Sequence, residues 1–172
     1  MGALRDRLRW DEASGAPHDG QRRYLMLRPD VLMGAIVALD APLRAAVLDA
    51  LAASAQQHGA RSLRAYAGPA PGDAGALIAA TVQAAADLGW GRWRIARQAP
   101  QSLTLEVSDS PFAAGWRAAT ASDAPLPVCG PIRGMLAGLA EQVLGAAVQV
   151  DECECAAAGQ AARCRFVARV TA

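Results

Sequence analysis

Apolar positions along this chain fall into stretches of two different periods, separated by Pro and Gly. Tyr24-Leu25-Met26-Leu27-Arg28-Pro29 is a short apolar run closed by Pro, and Asp30 stands where an N-cap belongs for a helix over Val31 to Leu39. Leu43, Ala46, Val47, Leu48 and Leu51 then recur at helical spacing. A second helix is therefore predicted from Ala41 to Gln57, with Asp40 and Pro42 as its start signals and Gly59 as its stop. Tyr66 to Gly75, with two prolines and three glycines, reads as a loop. Beyond it Leu77, Ile78, Val82 and Ala85 share one stripe of a third helix, Ala76 to Leu88, stopped by Gly89.

The period then changes. Trp93, Ile95, Leu103, Leu105 and Val107 alternate with polar residues on either side of Pro100-Gln101, which is the pattern of two strands joined by a tight turn. Ser108 to Pro127 is irregular and places Phe112 and Trp116 on a loop or short helix. Gly130-Pro131 opens a helix carrying Ile132, Met135, Leu136, Leu139, Val143 and Leu144 as far as Gly145. Val148 to Cys155 and Cys164 to Val170 read as a closing pair of strands around Ala158-Gly159-Gln160. The order of helices, hairpin, helix and hairpin predicts an α+β fold, an antiparallel sheet packed against helices.

Composition narrows the function classes. The chain has 172 residues, 53% hydrophobic and 19% charged, enough for one core, so residues 23–172 are expected to form a single domain. Residues 1–22 lack apolar periodicity beyond Leu4, Leu8 and Trp10 and are expected to be a flexible N-terminal arm. That segment has no apolar stretch resembling a signal peptide or membrane span, which points to a cytoplasmic protein with no membrane partner. Lys+Arg and Asp+Glu cancel to +1 and no polybasic run occurs, so no nucleic-acid partner is expected. All 17 basic residues are Arg, and Lys and Asn are absent, a bias read as that of a GC-rich coding sequence. Gly89-Trp90-Gly91 is too short for a phosphate-binding loop. With His18 in the arm and His58 read as a solvated helix end, no Ser-His-Asp set emerges, and no catalytic residue is assigned.

The cysteines are more informative, because all four lie between positions 129 and 164. Cys129 immediately precedes a helix N-terminus, where backbone N–H groups stabilise a thiolate. Cys155 closes one predicted strand and Cys164 opens the next, so hairpin pairing brings them together. Three thiols and a fourth donor, Glu152 or Cys153, would make a closed tetrahedral site of the zinc type; buried thiols acting as small hydrophobes are the other reading, and redox or disulfide chemistry a third. Glu152 and Cys155 have opposite strand parity and converge only across a bulge or a strand end.

Of eight aromatic residues, Trp90, Trp93, Phe112 and Trp116 fall within positions 90 to 116, a grouping suited either to lining an apolar ligand pocket or to ordinary core packing.

The stretch Pro127-Val128-Cys129-Gly130-Pro131-Ile132-Arg133-Gly134-Met135-Leu136-Ala137-Gly138, followed by Val148 to Gly159 and by Cys164-Arg165-Phe166, resembles the 4-vinyl reductase domain family. A weaker likeness reaches back through Ser108-Asp109-Ser110-Pro111-Phe112. That family includes bacteriochlorophyll 4-vinyl reductase-type proteins, phenol-sensing domains of bacterial transcription activators and archaeal hydrocarbon-binding proteins. The resemblance implies an α+β ligand-binding fold related to nitric-oxide-signalling and Golgi-transport domains, with Cys129, Glu152, Cys155 and Cys164 as ligands of a Zn²⁺ ion. It further implies a homodimer paired through the N-terminal region and a small hydrophobic ligand held between helices and sheet. The phenol sensors use a His and a Trp ahead of the metal site, and neither His18 nor His58 stands at a matching position, so a more apolar or larger ligand is expected. The expected function is a zinc-containing sensor domain acting in trans. The alternative is an enzyme or accessory protein of tetrapyrrole metabolism.

Overall fold

Two hairpins build the sheet on which the rest of the molecule packs. In the computed structural model, residues 4–59, 61–63, 73–122, 124 and 127–171 are described. Strands β4 (Arg92–Ala99) and β5 (Ser102–Ser108) form the first hairpin, β6 (Val148–Glu154) and β7 (Cys164–Val170) the second, and the sheet order is β4-β5-β7-β6, antiparallel throughout. Alternation gives this sheet one buried face. Leu103, Leu105 and Val107 of β5 pair with Ala168, Phe166 and Cys164 of β7, and all six are fully buried.

The two hairpins are connected through helices α5 (Pro111–Ala119) and α6 (Gly130–Leu144). Helix α6 buries Ile132, Leu136 and Leu139 and is ended by Gly145 in the left-handed conformation that favours glycine. Two small positions on α6 decide its partner. A Cβ at Gly130 or Gly134 would sit 2.3 or 1.9 Å from the carbonyl oxygens of Leu48 or Ala52, so only glycine lets α6 lie against helix α3 (Ala41–Ser54) this closely. Helix α3 starts as expected, with the Asp40 carboxylate accepting from the Leu43 N–H at 2.9 Å, and continues into a π-helical turn, Ala55–Gly59.

Helix α2 spans Pro29–Val37, two residues earlier than the sequence pattern suggests. Arg28 is its N-cap, and Asp30 lies inside the first turn, where it pairs with Arg28 at 2.5 Å. The preference of Pro for the first helical position overrides the capping preference of Asp. Helix α4 (Ala74–Asp87) is capped by Asp73, whose carboxylate accepts from Ala76 N–H at 3.0 Å. The expected loop from Tyr66 lies outside the described residues as far as position 72.

The expected N-terminal arm carries secondary structure in the described residues. Helix α1 (Leu4–Arg7) is followed by a three-stranded ribbon of β1 (Arg9–Asp11), β2 (Ala16–Asp19) and β3 (Arg22–Arg23). Leu4 and Ala16 are buried, Arg7 pairs with Asp19 at 3.2 Å, and the Arg5 N–H donates to Asp87 of α4. Short ribbons of this kind have too few alternating positions for a period to show in sequence.

Candidate metal centre and adjoining cavity

The backbone of three elements converges on one point. Cys129 sits at the N-cap of α6, Glu152 is on β6 facing inward, Cys155 follows the end of β6, and Cys164 opens β7. One donor atom from each lies within 4.8 Å of all the others. A bulge makes this possible. Glu152 pairs with Phe166 and Glu154 with Arg165, so Cys153 is the extra residue, and the parity conflict between Glu152 and Cys155 is resolved there. Cys153 itself is exposed and faces away from the cluster, which leaves Glu152 as the fourth donor.

The hydrogen bonds around the cluster are those of thiolate ligands. The Ala156 N–H donates to Cys164 Sγ at 3.2 Å, the Cys129 N–H donates to Glu152 Oε2 at 3.0 Å, and Ser110 Oγ lies 3.2 Å from Cys129 Sγ. Cys129 Sγ and Cys164 Sγ are 3.6 Å apart, far beyond a disulfide bond and near the ~3.8 Å edge of a tetrahedron with ~2.3 Å metal–sulfur bonds. Glu152 Oε1 is buried and has no hydrogen-bond partner. An orphaned carboxylate oxygen beside three thiols suits a bound cation better than it suits a core packed for its own sake.

Electrostatics of the metal-free cluster agree. Burial, followed by the neighbouring Cys155, raises Glu152 to about 8. Hydrogen bonds from Cys129 and Cys155 pull Cys164 down to about 4, while Cys129, held by Cys155 and Cys164 and by burial, is raised well above the usual thiol range. At neutral pH the cluster thus contains a thiolate at Cys164 beside protons on Cys129 and Glu152. A divalent cation would displace those protons.

Next to the cluster lies a cavity of about 700 Å³. Trp90, Trp93 and Phe112 line it, together with Leu51, Leu88 and Met135. Trp90 and Phe112 meet edge to face at 5.5 Å, and the Trp93 indole N–H donates to the Trp90 carbonyl at 3.0 Å, which fixes both rings. Trp116 does not line it. It is 2% exposed, donates from its indole nitrogen to the Ser122 carbonyl, and lies under the Arg44 guanidinium at 5.3 Å. The four-residue spacing from Phe112 does put both on α5, but the helix turns Trp116 into the core.

His58, read from the sequence as a solvated helix end, is exposed yet stands at the rim of this cavity. The signal was a stripe: Leu51, Ala55, His58 and Ser62 follow one another at spacings of four, three and four, and all four line the cavity.

Fold and site together define an α+β domain in which a buried cysteine–carboxylate cluster joins a helix start to an antiparallel hairpin. Residues 103–170 match the model of the 4-vinyl reductase domain, so the chain belongs, through this segment, to the family that its cysteine region resembles. The phenol-responsive sensory domain of the transcription activator PoxR, solved with phenol, is similar in structure, with TM-score 0.79 and 17% identity over 97% of this chain and 86% of that one. A vinyl-4-reductase family protein from Methanocaldococcus jannaschii (TM-score 0.51, 16% identity, 87% of this chain and 98% of that one) shares the fold. So does a trafficking protein particle complex subunit 3 from Naegleria fowleri, covalently bound to palmitic acid (TM-score 0.52, 15% identity, 84% of this chain and 95% of that one). No curated protein sequence matches the chain. Among the described residues, no helix is long and apolar enough to cross a membrane.

Proposed function

We propose that this chain is a ligand-binding sensor domain that encloses a small hydrophobic molecule in the cavity beside the cysteine cluster. The aromatic-walled cavity of about 700 Å³ carries this reading, since a volume of that size lined mainly by apolar side chains is typical of small-molecule sites. The 4-vinyl reductase domain supports it, as does the likeness in fold to one domain solved with phenol and another bound to palmitic acid. Zn²⁺ held by Cys129, Glu152, Cys155 and Cys164 would be structural, tying the start of α6 to the terminal hairpin. The domain would work in the cytoplasm as a homodimer, without nucleic acid or membrane, and pass its state to a partner in trans. The exposed side chains of Leu25, Met26, Leu27, Val31 and Leu43 supply the apolar surface that a second copy would cover.

Titration with the uncharged dye phenylnaphthylamine tests the cavity: saturable uptake of one dye per chain is expected, and no uptake overturns the reading. Protein purified without chelator should contain about one zinc per chain. Less than roughly 0.2 equivalents, with all four thiols freely titratable, would remove the metal from it.

A further inference from the structure

The charged residues at the cavity are all of one sign. Arg22, Arg23, His58 and Arg61 line it, and among the described residues no Asp or Glu does. The protein as a whole is balanced, with 17 Lys+Arg against 16 Asp+Glu, so this segregation does not follow from composition. All four basic side chains are exposed, whereas Trp93, Phe112, Thr81, Ala84, Ala85 and Pro131 beneath them are buried. The cavity therefore has an apolar floor and a basic rim. The carboxylates nearest in the chain are turned to other tasks. Asp19 is paired with Arg7 and lies 3.8 Å from Arg22, and Asp87 accepts from the Arg5 N–H and from Gln83 and lines a neighbouring groove. Residues 64–72 contain no Asp or Glu at all.

A neutral hydrocarbon gains nothing from such a rim. Guanidinium groups at the mouth of a water-poor site attract and orient an acidic headgroup, while its apolar body displaces water from the aromatic floor. Building on the cavity reading above, we propose that the ligand is an amphiphilic organic anion, with an aromatic or aliphatic body lying against Trp90, Trp93 and Phe112 and one acidic group held among Arg23, Arg61 and His58. Arg22, already shared with Asp19, contributes less.

A matched pair of dyes isolates the headgroup. Anilinonaphthalene sulfonate is phenylnaphthylamine with one added sulfonate, and both brighten on entering an apolar site. The ratio of their affinities for the full chain is measured for the unaltered protein, for the double variant Arg23→Gln, Arg61→Gln and for Arg23→Lys, Arg61→Lys. Exposed charge pairs are each worth a factor of up to about five, so the Gln variant should shift the ratio about tenfold toward the neutral dye. The Lys variant should keep most of the preference, and added salt should erode it. A ratio that the Gln substitutions leave unchanged, or a protein that takes up the neutral dye but not the sulfonate, overturns the anion assignment while leaving the cavity reading standing. A protein that takes up neither dye overturns both.

Discussion

The hydroxyl of Ser110 lies 3.2 Å from the sulfur of Cys129, across 19 residues of chain and entirely inside the protein. Ser110 is the N-cap of α5 and Cys129 the N-cap of α6, so this contact fastens two helix starts together. Phe112 and Pro131, each two residues further on, both line the cavity. The candidate metal centre and the cavity wall are thus anchored at the same pair of residues.

Replacement of Ser110 by Ala should therefore weaken metal binding. The hydroxyl is the group outside the ligand set that touches Cys129 Sγ, and partners of that kind typically contribute about 10- to 100-fold in metal affinity. A competition titration of zinc against a chromophoric chelator measures it. Ser110→Thr, which keeps the hydroxyl, should lie close to the original protein, and equal losses in both variants would assign the effect to packing or to the helix cap.

Metal affinity should climb steeply with pH through the neutral range. Glu152, raised to about 8, and Cys129, raised well above the usual thiol range, are both protonated in the metal-free protein at neutral pH, so a cation must expel both protons. Each proton released makes affinity rise about tenfold per pH unit below that group's pKa. Cys164, already a thiolate, adds nothing above about pH 4. Calorimetric titration of zinc in buffers of different ionisation enthalpy counts these protons. Release of no proton at neutral pH would contradict the arrangement.

Phe112 and Trp116, neighbours on one turn of α5, should separate cleanly on mutation. Trp116 is core: deleting its side chain forfeits a buried indole, its hydrogen bond to Ser122 and its contact with Arg44, and should cost about 3–5 kcal/mol in denaturant unfolding. Trp90, half-buried at the cavity wall, should behave oppositely. Trp90→Ala should weaken uptake of phenylnaphthylamine with little change in zinc content. Phe112→Ala should reduce both stability and uptake, because that ring is buried and lines the cavity.

These residues show what sequence pattern can and cannot carry. Leu103, Leu105 and Val107 announced their strand because a sheet with one wet face forces strict alternation, and Gly130-Pro131 announced α6 because helix starts draw on few residue types. The four cluster donors were legible for the same reason, since few arrangements place thiols at a helix start and at two facing strand ends. The choice between Glu152 and Cys153 was not, because it turns on a bulge that pairing with β7 imposes and local sequence does not encode. The cavity was half legible. Aromatic clustering found Trp90, Trp93 and Phe112, but the inward turn of Trp116 and the basic rim come from elements far apart in the chain, β3, the end of α3 and the residues just beyond it.

Self-association should depend on the exposed run at positions 25–27. Leu25 and Met26 are 83% and 79% exposed, and Val31 and Leu43 continue the apolar surface onto α2 and α3. Sedimentation equilibrium should give a dimer, and Leu25→Glu with Met26→Glu should shift it to monomer without loss of helix content, because neither side chain supports the core. A monomer mass at every concentration for the unaltered protein would exclude the pairing.

Thiol reactivity should divide the cysteines three to one. Cys129, Cys155 and Cys164 are buried at 0%, 5% and 0% exposure, whereas Cys153, pushed outward by the bulge, is exposed and stands outside the cluster. A metal shields its thiolate ligands from attack in addition to their burial, so a disulfide reagent should modify one thiol per chain rapidly in protein purified without chelator and the other three only after chelation. Cys153→Ser should abolish the rapid phase while leaving metal content unchanged. Cys164→Ser should instead remove the metal, since it deletes the one donor that is already a thiolate at neutral pH and the sulfur to which the Ala156 N–H donates. Four thiols reacting at one common rate before chelation would show that no ion is held there.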